Sequence, residues 1–229
     1  MKHGVYVREQ KTSVSTPVVA ESGVPFVVGT APVHSAESPA ALFTPVLCTD
    51  WEDAVKKLGY SDDWKTYTIC EVMYSHFKLF QRQPIIFCNV LDPSTNKEAV
   101  AGAEVTISGK QAKLPFDAIL SSLVVKTASS SESPLVKDTD YAAYYSDGNL
   151  IVETIEDGAA KAATKLYISY DKIKTADIDD DDIVKGIEAI DLCMATVSTT
   201  PDLIIAPGWS HTSTVQAVIC LLYTSDAAD

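Results

Sequence analysis

The sequence of 229 residues predicts an α/β protein in which a discontinuous α/β core is interrupted by a small all-β domain, sandwich-like or barrel-like in form. Three observations predict this class. Two apolar runs, at 24–28 and 85–91, flank two helical patterns with no hairpin signal between them. Short β-type runs fill 105–170. A helical pattern and another apolar run return within 177–208, so the core is expected to resume there.

The run at 24–28 predicts the first core strand. Its residues are all apolar, and Gly29 and Pro32 follow it. A continuous apolar run of this length is typical of a strand that is buried on both faces of a sheet. We therefore expect it near the centre of the α/β core.

Two amphipathic helices are predicted between the first two apolar runs. Thr49 and Glu52 have the spacing of a capping box, so the first helix is expected over 50–58. The second is expected to end near Pro84 and to bury apolar residues spaced three and four apart, which are Ile69, Val72, Met73, Phe77 and Phe80. The strand expected at 85–91 would then pair in parallel with the first strand.

The all-β domain is predicted from short runs of β-forming residues, which lie at 105–107, 119–126, 141–145, 150–153 and 166–170. Asp147-Gly148-Asn149 predicts a hairpin turn, because Gly and Asn accept positive φ. Alternation of apolar and polar residues is imperfect, so the pattern does not assign the sheet faces. A sandwich and an open barrel both remain compatible with it.

The core is predicted to return after an acidic run at 177–182. The apolar stripe of the next helix would be formed by Ile183, Ile187, Ile190 and Met194. Residues 201–208 predict another buried strand that ends in a turn.

The N-terminal segment contains a β-forming stretch without a local partner. Residues 4–9 favour a strand, but 10–20 are rich in Ser, Thr and Pro and predict an extended arm rather than a hairpin turn. A strand of this kind is expected to pair with another part of the assembly.

Composition excludes several classes of function. The formal net charge is −13, with 18 basic and 31 acidic side chains, so a surface that neutralises nucleic-acid phosphates is not expected. No apolar run approaches the ~20 residues of a membrane helix, so direct membrane insertion is not expected. No secretory signal is evident either. The five cysteines have no CxxC spacing and are expected to be reduced, with the first four buried.

Candidate metal and catalytic residues are few. The acidic run at 177–182 lacks the spacing of a calcium-binding EF-hand loop and is interpreted as a helix N-terminus, with weak Ca²⁺ binding as the alternative. His3, His34, His76 and His211 lack the spacing of zinc ligands. Ser210 directly precedes His211, and we interpret the two as ordinary loop residues rather than as a catalytic pair. No nucleophile-elbow, phosphate-loop or dinucleotide motif occurs. No catalytic, cofactor-binding or metal-binding residue is therefore predicted, and no cofactor.

Three stretches resemble contractile tail sheath proteins of phage tails and phage-like particles. These are Gly4-Val5-Tyr6-Val7-Arg8-Glu9, then Val24-Pro25-Phe26-Val27-Val28-Gly29-Thr30-Ala31-Pro32, and Ile204-Ile205-Ala206-Pro207-Gly208. The order of strand, helix and strand on both sides of a β insert is similar as well. The resemblance covers nearly all of residues 4–219.

The resemblance implies a structural subunit, not an enzyme, that polymerises helically around a tail tube and contracts to drive the tube through a target cell envelope. Its implied partners are other copies of itself, the tail tube protein and baseplate proteins. In the family, terminal arms add strands to sheets of adjacent subunits, and Gly4, Val5, Tyr6 and Val7 match the N-terminal arm. The implied location is the virion tail, assembled in the host bacterial cytoplasm. Phage tail, bacteriocin-like particle and secretion machine are not distinguished.

The resemblance and the patterns together predict five segments. They are an extended arm at 1–23, a first core part at 24–94, an inserted β domain at 95–176, a second core part at 177–219 and a tail at 220–229. The tail matches one reading frame of a transposase adapter used to prepare DNA sequencing libraries. We interpret it as adapter read-through, and expect a truncated core and a natural gene that continues past Ile219.

Two other classes of function remain open. An α/β enzyme could carry the β domain as an insert and its catalytic residues beyond Ile219. A β-rich surface-display or binding module could use the insert as its main domain. A nucleophile and base motif in the recovered sequence would favour the enzyme, whereas another strand-rich arm would favour the sheath.

Overall fold

The computed structural model describes residues 23–129 and 133–225, with side chains described through residue 222. Its strands are β1 (Pro25–Gly29), β2 (Val46–Cys48), β3 (Ile85–Asn89), β4 (Lys97–Thr106), β5 (Gln111–Pro115), β6 (Val124–Lys126), β7 (Tyr141–Ser146), β8 (Asn149–Thr154), β9 (Lys165–Ile173) and β10 (Leu203–Ile205). Its α-helices are α1 (Trp51–Leu58), α2 (Ile69–Met73), α3 (Asp180–Glu188), α4 (Cys193–Thr196) and α5 (Ser213–Ser225).

Four strands form a mixed sheet in the order β10, β1, β3, β2. β1 pairs in parallel with both β3 and β10, as expected for the core. All residues of β1 and β3 are buried, which confirms the two strands predicted from continuous apolar runs. The prediction of parallel pairing is incomplete, because β2 joins the sheet antiparallel to β3.

Helix α1 begins one residue later than the sequence predicts. Asp50, not Thr49, is the N-cap, and its Oδ1 accepts a hydrogen bond of 2.8 Å from the Asp53 backbone N–H. Asp53 Oδ2 accepts from the Thr49 backbone N–H at 3.4 Å. The predicted capping box of Thr49 and Glu52 is therefore wrong by one position, because Asp caps a helix as well as Thr does.

The second predicted helix changes geometry along its length. It begins as α2 and continues as a π-helical segment, Tyr74–Phe80, that ends at Gln81 in the left-handed conformation. Ile69, Val72 and Phe77 of its predicted apolar stripe are buried, but Phe80 is 68% exposed. The wider π-helical turns rotate the last side chains away from the sheet, so the 3.6-residue period fails there.

The β region consists of two antiparallel three-stranded sheets, in the orders β4, β9, β6 and β5, β8, β7. β7 and β8 form the predicted hairpin, and the residues with positive φ are Asp147 and Gly148, whereas Asn149 already belongs to β8. The strand predicted at 119–126 is shorter than expected. Residues 120–122 form a 3₁₀ turn and only β6 follows.

Helix α3 confirms that the acidic run is a helix N-terminus. The Asp179 side chain accepts from the backbone N–H groups of Asp181 and Asp182, and the Asp182 side chain accepts from the Asp179 backbone, which forms a capping box. Ile183 and Ile187 are fully buried as predicted. Met194 is 61% exposed, because a 3₁₀ segment, Ala189–Leu192, breaks the helix before α4 and ends the predicted stripe.

The buried side chains form two hydrophobic cores. The first lies around the four-stranded sheet and its helices, and the second lies between the two three-stranded sheets. The α/β class with additional β elements is confirmed, and the sheets of the described residues do not close into a barrel. None of the helices in the described parts of the chain has the length and apolar character needed to cross a membrane.

Candidate functional site

The predicted intersubunit strand, Gly4 to Val7, lies outside the described residues. The described chain begins at Gly23, where the N-terminal segment joins the four-stranded sheet. The Val24 backbone N–H donates to Asp202 Oδ2 at 2.8 Å, and the Asp202 N–H donates to the Val24 carbonyl at 2.9 Å. The N-terminal segment therefore enters the fold at the amino ends of β1 and β10.

A cavity of about 450 Å³ lies at this corner of the sheet. Its lining combines the entry point of the N-terminal segment with the loop before β3, and comprises Gly23, Pro25, His76, Arg82, Gln83, Pro84 and Leu203. Leu203 is 48% exposed. The prediction that the strand within 201–208 is buried is therefore wrong, since Ile204 and Ile205 are also only partly buried, because β10 lies at the end of the strand order.

The opposite edge of the sheet, at β2, is protected by a charged side chain. Lys57 Nζ donates to the Leu47 carbonyl at 2.9 Å and lies 2.8 Å from the Asp53 carboxylate. A lysine positioned over an edge strand disfavours pairing with a further strand. The two edges of the sheet thus differ, because a lysine covers the β2 edge whereas β10 presents the exposed Leu203.

A second cavity, of about 660 Å³, lies at the carboxyl ends of β1 and β10. Crevices at this position of parallel sheets commonly bind ligands. Here two reciprocal hydrogen bonds join Thr30 and Thr68. The Thr68 N–H donates to Thr30 Oγ1 at 3.0 Å, and the Thr30 N–H donates to Thr68 Oγ1 at 3.2 Å. Trp64, Trp209 and His211 complete part of the wall. The two threonine hydroxyl groups thus serve the fold by joining the end of β1 to the start of α2.

The histidines of the described chain are dispersed. His211 is exposed beside this cavity, and His76 lies at the opposite end of the sheet. The predicted buried thiols are confirmed for Cys48, Cys70, Cys88 and Cys193. Burial raises the pKa of the first three to about 12, so they are poor nucleophiles at neutral pH.

Potential metal ligands do not converge within the described chain. Between residues 23 and 225, leaving out 130–132, no group of three or more His, Cys, Asp or Glu side chains is arranged to hold a metal ion. Asp179 and Asp182 are engaged in capping α3. The acidic run therefore has a structural role at the helix start.

His34 occupies a position that the sequence pattern does not reveal. Its ring lies among Tyr67, Phe116 and Tyr145, with centroid distances of 5.9, 5.4 and 5.7 Å. His34 and Tyr67 belong to the α/β core, whereas Phe116 follows β5 and Tyr145 lies in β7. We call these four residues the junction cluster. Its members lie far apart in sequence, so no local signal could have identified it.

The junction cluster carries unpaired polar atoms. His34 Nε2 lies 3.0 Å from the Phe116 carbonyl oxygen, to which it must donate, so the neutral ring has its lone pair on Nδ1. His34 Nδ1, the Tyr67 hydroxyl group and the adjacent Asp117 Oδ1 are buried without a hydrogen-bond partner. Burial lowers the pKa of His34 to about 4, because desolvation disfavours the charged imidazolium.

Comparison with known proteins gives one structural similarity. No protein-family model matches the chain, and no curated protein matches it. The structure is similar to the crystal structure of a sheath tail protein from Listeria innocua, with a TM-score of 0.38 and 12% sequence identity. The match covers 86% of this chain and 43% of that protein, so the chain spans less than half of its length.

Proposed function

We propose that the chain is part of a structural subunit of a contractile tail sheath. The subunit polymerises helically around a tail tube and contracts to drive the tube through a target cell envelope. Its partners are other copies of itself, the tail tube protein and baseplate proteins, and it belongs to a virion tail that is assembled in the bacterial cytoplasm. It needs no cofactor and no catalytic residue.

One observation carries the proposal. Two of the three sheath-like stretches, 24–32 and 204–208, are neighbours in the four-stranded sheet. Phe26 pairs with Ile204 and Val27 with Ile205 in parallel register. Two distant motifs that form one sheet support a shared role in the subunit core, as the sequence resemblance implies. They also support a discontinuous core at 24–94 and 177–219 with a β domain at 95–176.

The N-terminal segment supplies the link between subunits. We assign residues 1–23 to an arm in which Gly4 to Val7 add a strand to the sheet of an adjacent subunit. Residues 8–22, when extended, span up to about 50 Å, which is enough to reach a neighbouring body. Main-chain pairing through such an arm keeps subunits connected while rigid bodies rotate and slide during contraction.

Electron microscopy of the assembled protein tests this proposal. The protein is expressed from its complete gene together with a tail tube protein from the same source. We expect sheathed tubes from the intact protein and none after deletion of residues 1–10. A matched control with residues 10–16 in scrambled order keeps length and composition, and should still assemble because only the strand-forming segment pairs.

Two outcomes would overturn the proposal. Discrete monomers of the intact protein in the presence of the tube protein would contradict a sheath, and would favour the enzyme or the binding module. Tubes that persist without residues 1–10 would retain the sheath but contradict the role of the arm. The first outcome concerns the whole function and the second concerns only Gly4 to Val7.

A further inference from the structure

The α/β core and the β sheets meet at a joint that combines the aromatic rings of the junction cluster with Ile119 and Ile173, two residues of the β region that are buried in the first core. His34 is the central ring of the junction cluster, since it contacts rings from both parts of the molecule. Phe116 also contacts Tyr145, with centroids 5.5 Å apart. The hydrogen bond from His34 Nε2 to the Phe116 carbonyl crosses the same joint. His34 therefore links the two parts through packing and through hydrogen bonding, beside a direct contact between the Tyr67 and Phe116 rings, whose centroids lie 6.0 Å apart.

The surroundings of the ring favour its neutral form. On its free side, His34 Nδ1 is buried and has no acceptor for a second proton. Tyr67 faces the ring with a buried hydroxyl group that lacks a partner. Tyr145 cannot easily reorient toward an imidazolium, because its hydroxyl group donates to the Ala118 carbonyl and accepts from the Leu120 N–H.

The charged groups around the cluster come from each neighbouring segment. Asp63 precedes Tyr67 in the sequence, and its negative charge, like that of Asp117, raises the pKa of the Tyr67 hydroxyl group. Asp117 Oδ2 lies 3.8 Å from Lys172, which is also 3.5 Å from Glu98. Asp147 follows β7 and lines the groove beside Tyr145. Of these groups, Asp117 has a titration that opposes that of His34, because burial raises the pKa of its carboxyl group.

We propose that the junction cluster is an acid-sensitive latch, which holds the β sheets against the α/β core when His34 is neutral and releases them when His34 is protonated. The two cores keep most of their packing, since most buried side chains of each core come from one part of the chain, and release exposes Ile119 and Ile173 of the β region, which are buried in the first core. Release therefore creates a hinge between two folded bodies. This property does not depend on the proposed function.

The direction of the pH dependence follows from linkage. The pKa of His34 is about 4 in the closed joint and 6.5 when the ring is solvated. The open state therefore binds a proton more readily, and closure weakens as pH falls from 6.5 toward 4. Between pH 7 and pH 4 the ratio of closed to open molecules falls by about 100-fold, because each pKa unit corresponds to a factor of ten and half of the closed molecules are already protonated at pH 4. Protonation of Asp117 acts in the opposite sense and reduces the change.

Hydroxyl-radical footprinting of the full chain, measured by mass spectrometry between pH 7 and pH 4, tests the latch. The side chains of Tyr67, Phe116 and Tyr145 meet at the joint, so they should lose protection from labelling as pH falls. The buried side chains Phe87 of β3 and Ile168 of β9 lie away from the cluster and should keep theirs. His34→Gln keeps an amide donor toward Phe116 but cannot titrate, and His34→Phe keeps only the ring. Both should abolish the loss of protection at low pH, which leaves only the opposite effect of Asp117.

Two further variants make the test specific. Asp117→Asn removes the opposing titration, so its loss of protection should be steeper than that of the unmodified chain. His211→Phe changes an exposed imidazole outside the joint and should leave the profile unchanged. An unchanged pH profile in a folded His34→Gln protein would overturn the proposal. Loss of protection in β3 and β9 at the same pH as in the joint would also overturn it.

Discussion

The two hydrophobic cores bury their strands differently. In the first core, every residue of β1 and β3 is buried, because helices cover both faces of the sheet. Val28 lies beneath α3, and the next residue, Gly29, lies beneath the start of α2 at Thr68. In the second core, β9 alternates, with Leu166, Ile168 and Tyr170 buried and the residues between them partly exposed.

This difference teaches how each core constrains its sequence. A strand covered on both faces cannot accept a polar or smaller side chain at any position without loss of packing. A strand covered on one face is constrained only at every second residue. The first core should therefore respond to substitution of adjacent residues, whereas the second should respond to alternate ones.

The largest expected effects come from truncating side chains in these strands. Ile86→Ala and Phe87→Ala change adjacent, fully buried residues of β3, and each should lower the free energy of unfolding by about 2–5 kcal/mol. In β9, Ile168→Ala should have a similar effect, but Tyr167→Ala should cost under ~1 kcal/mol, since Tyr167 is only partly buried. Urea denaturation followed by circular dichroism measures all four.

The comparison would break if the two strands behaved alike. Equal losses from Tyr167→Ala and Ile168→Ala would contradict one-sided burial in β9. A negligible loss from either Ile86→Ala or Phe87→Ala would contradict two-sided burial in β3. Ile86→Val, with an expected cost of about 0.5–1.5 kcal/mol, provides a milder substitution if the alanine variants do not fold.

The sequence predicts the first core better than the second for the same physical reason. A continuous apolar run such as 24–28 is itself a signal of two-sided burial, and the structure confirms it. β4 carries no such signal, because most of its residues are exposed, and only its last two residues were predicted as strand. Its pairing with β9 also includes a bulge between Val100 and Ala103, which interrupts the period of two.

The candidate site is predicted unevenly. The strand at Gly4 to Val7 stays a prediction, because it lies outside the described residues. The sheath-like stretches at 24–32 and 204–208 predict core strands, but not that these strands pair with each other. His34 has no partner nearby in sequence and bonds Phe116, 82 residues away. Single-sequence patterns do not encode such contacts, since they arise when separate elements pack.

An intermediate effect is expected where α3 crosses the first core at Gly186. A Cβ atom at this position would lie 2.5 Å from Val28 Cγ1 and 2.7 Å from Val90 Cγ1. Gly186→Ala should therefore destabilise the chain by about 1–3 kcal/mol through overpacking, although alanine favours helices by about 1 kcal/mol. A double-mutant cycle with Val28→Ala measures the contact directly. If the two changes are additive, the close approach of α3 does not limit packing.

The smallest expected effect concerns the start of α3 and shows how the first core depends on local helix stability. Asp179→Ala removes the side chain that accepts from the Asp181 and Asp182 N–H groups, and should cost about 1 kcal/mol. Asp181→Ala is the matched control, because it removes the same charge from the same turn without removing the cap. Hydrogen exchange should locate the loss in α3, where Ile183 anchors the helix in the first core, and leave β9 protected. Equal exchange in both variants would assign the role of the acidic run to charge alone, since the helix dipole favours carboxylates at several positions of the first turn.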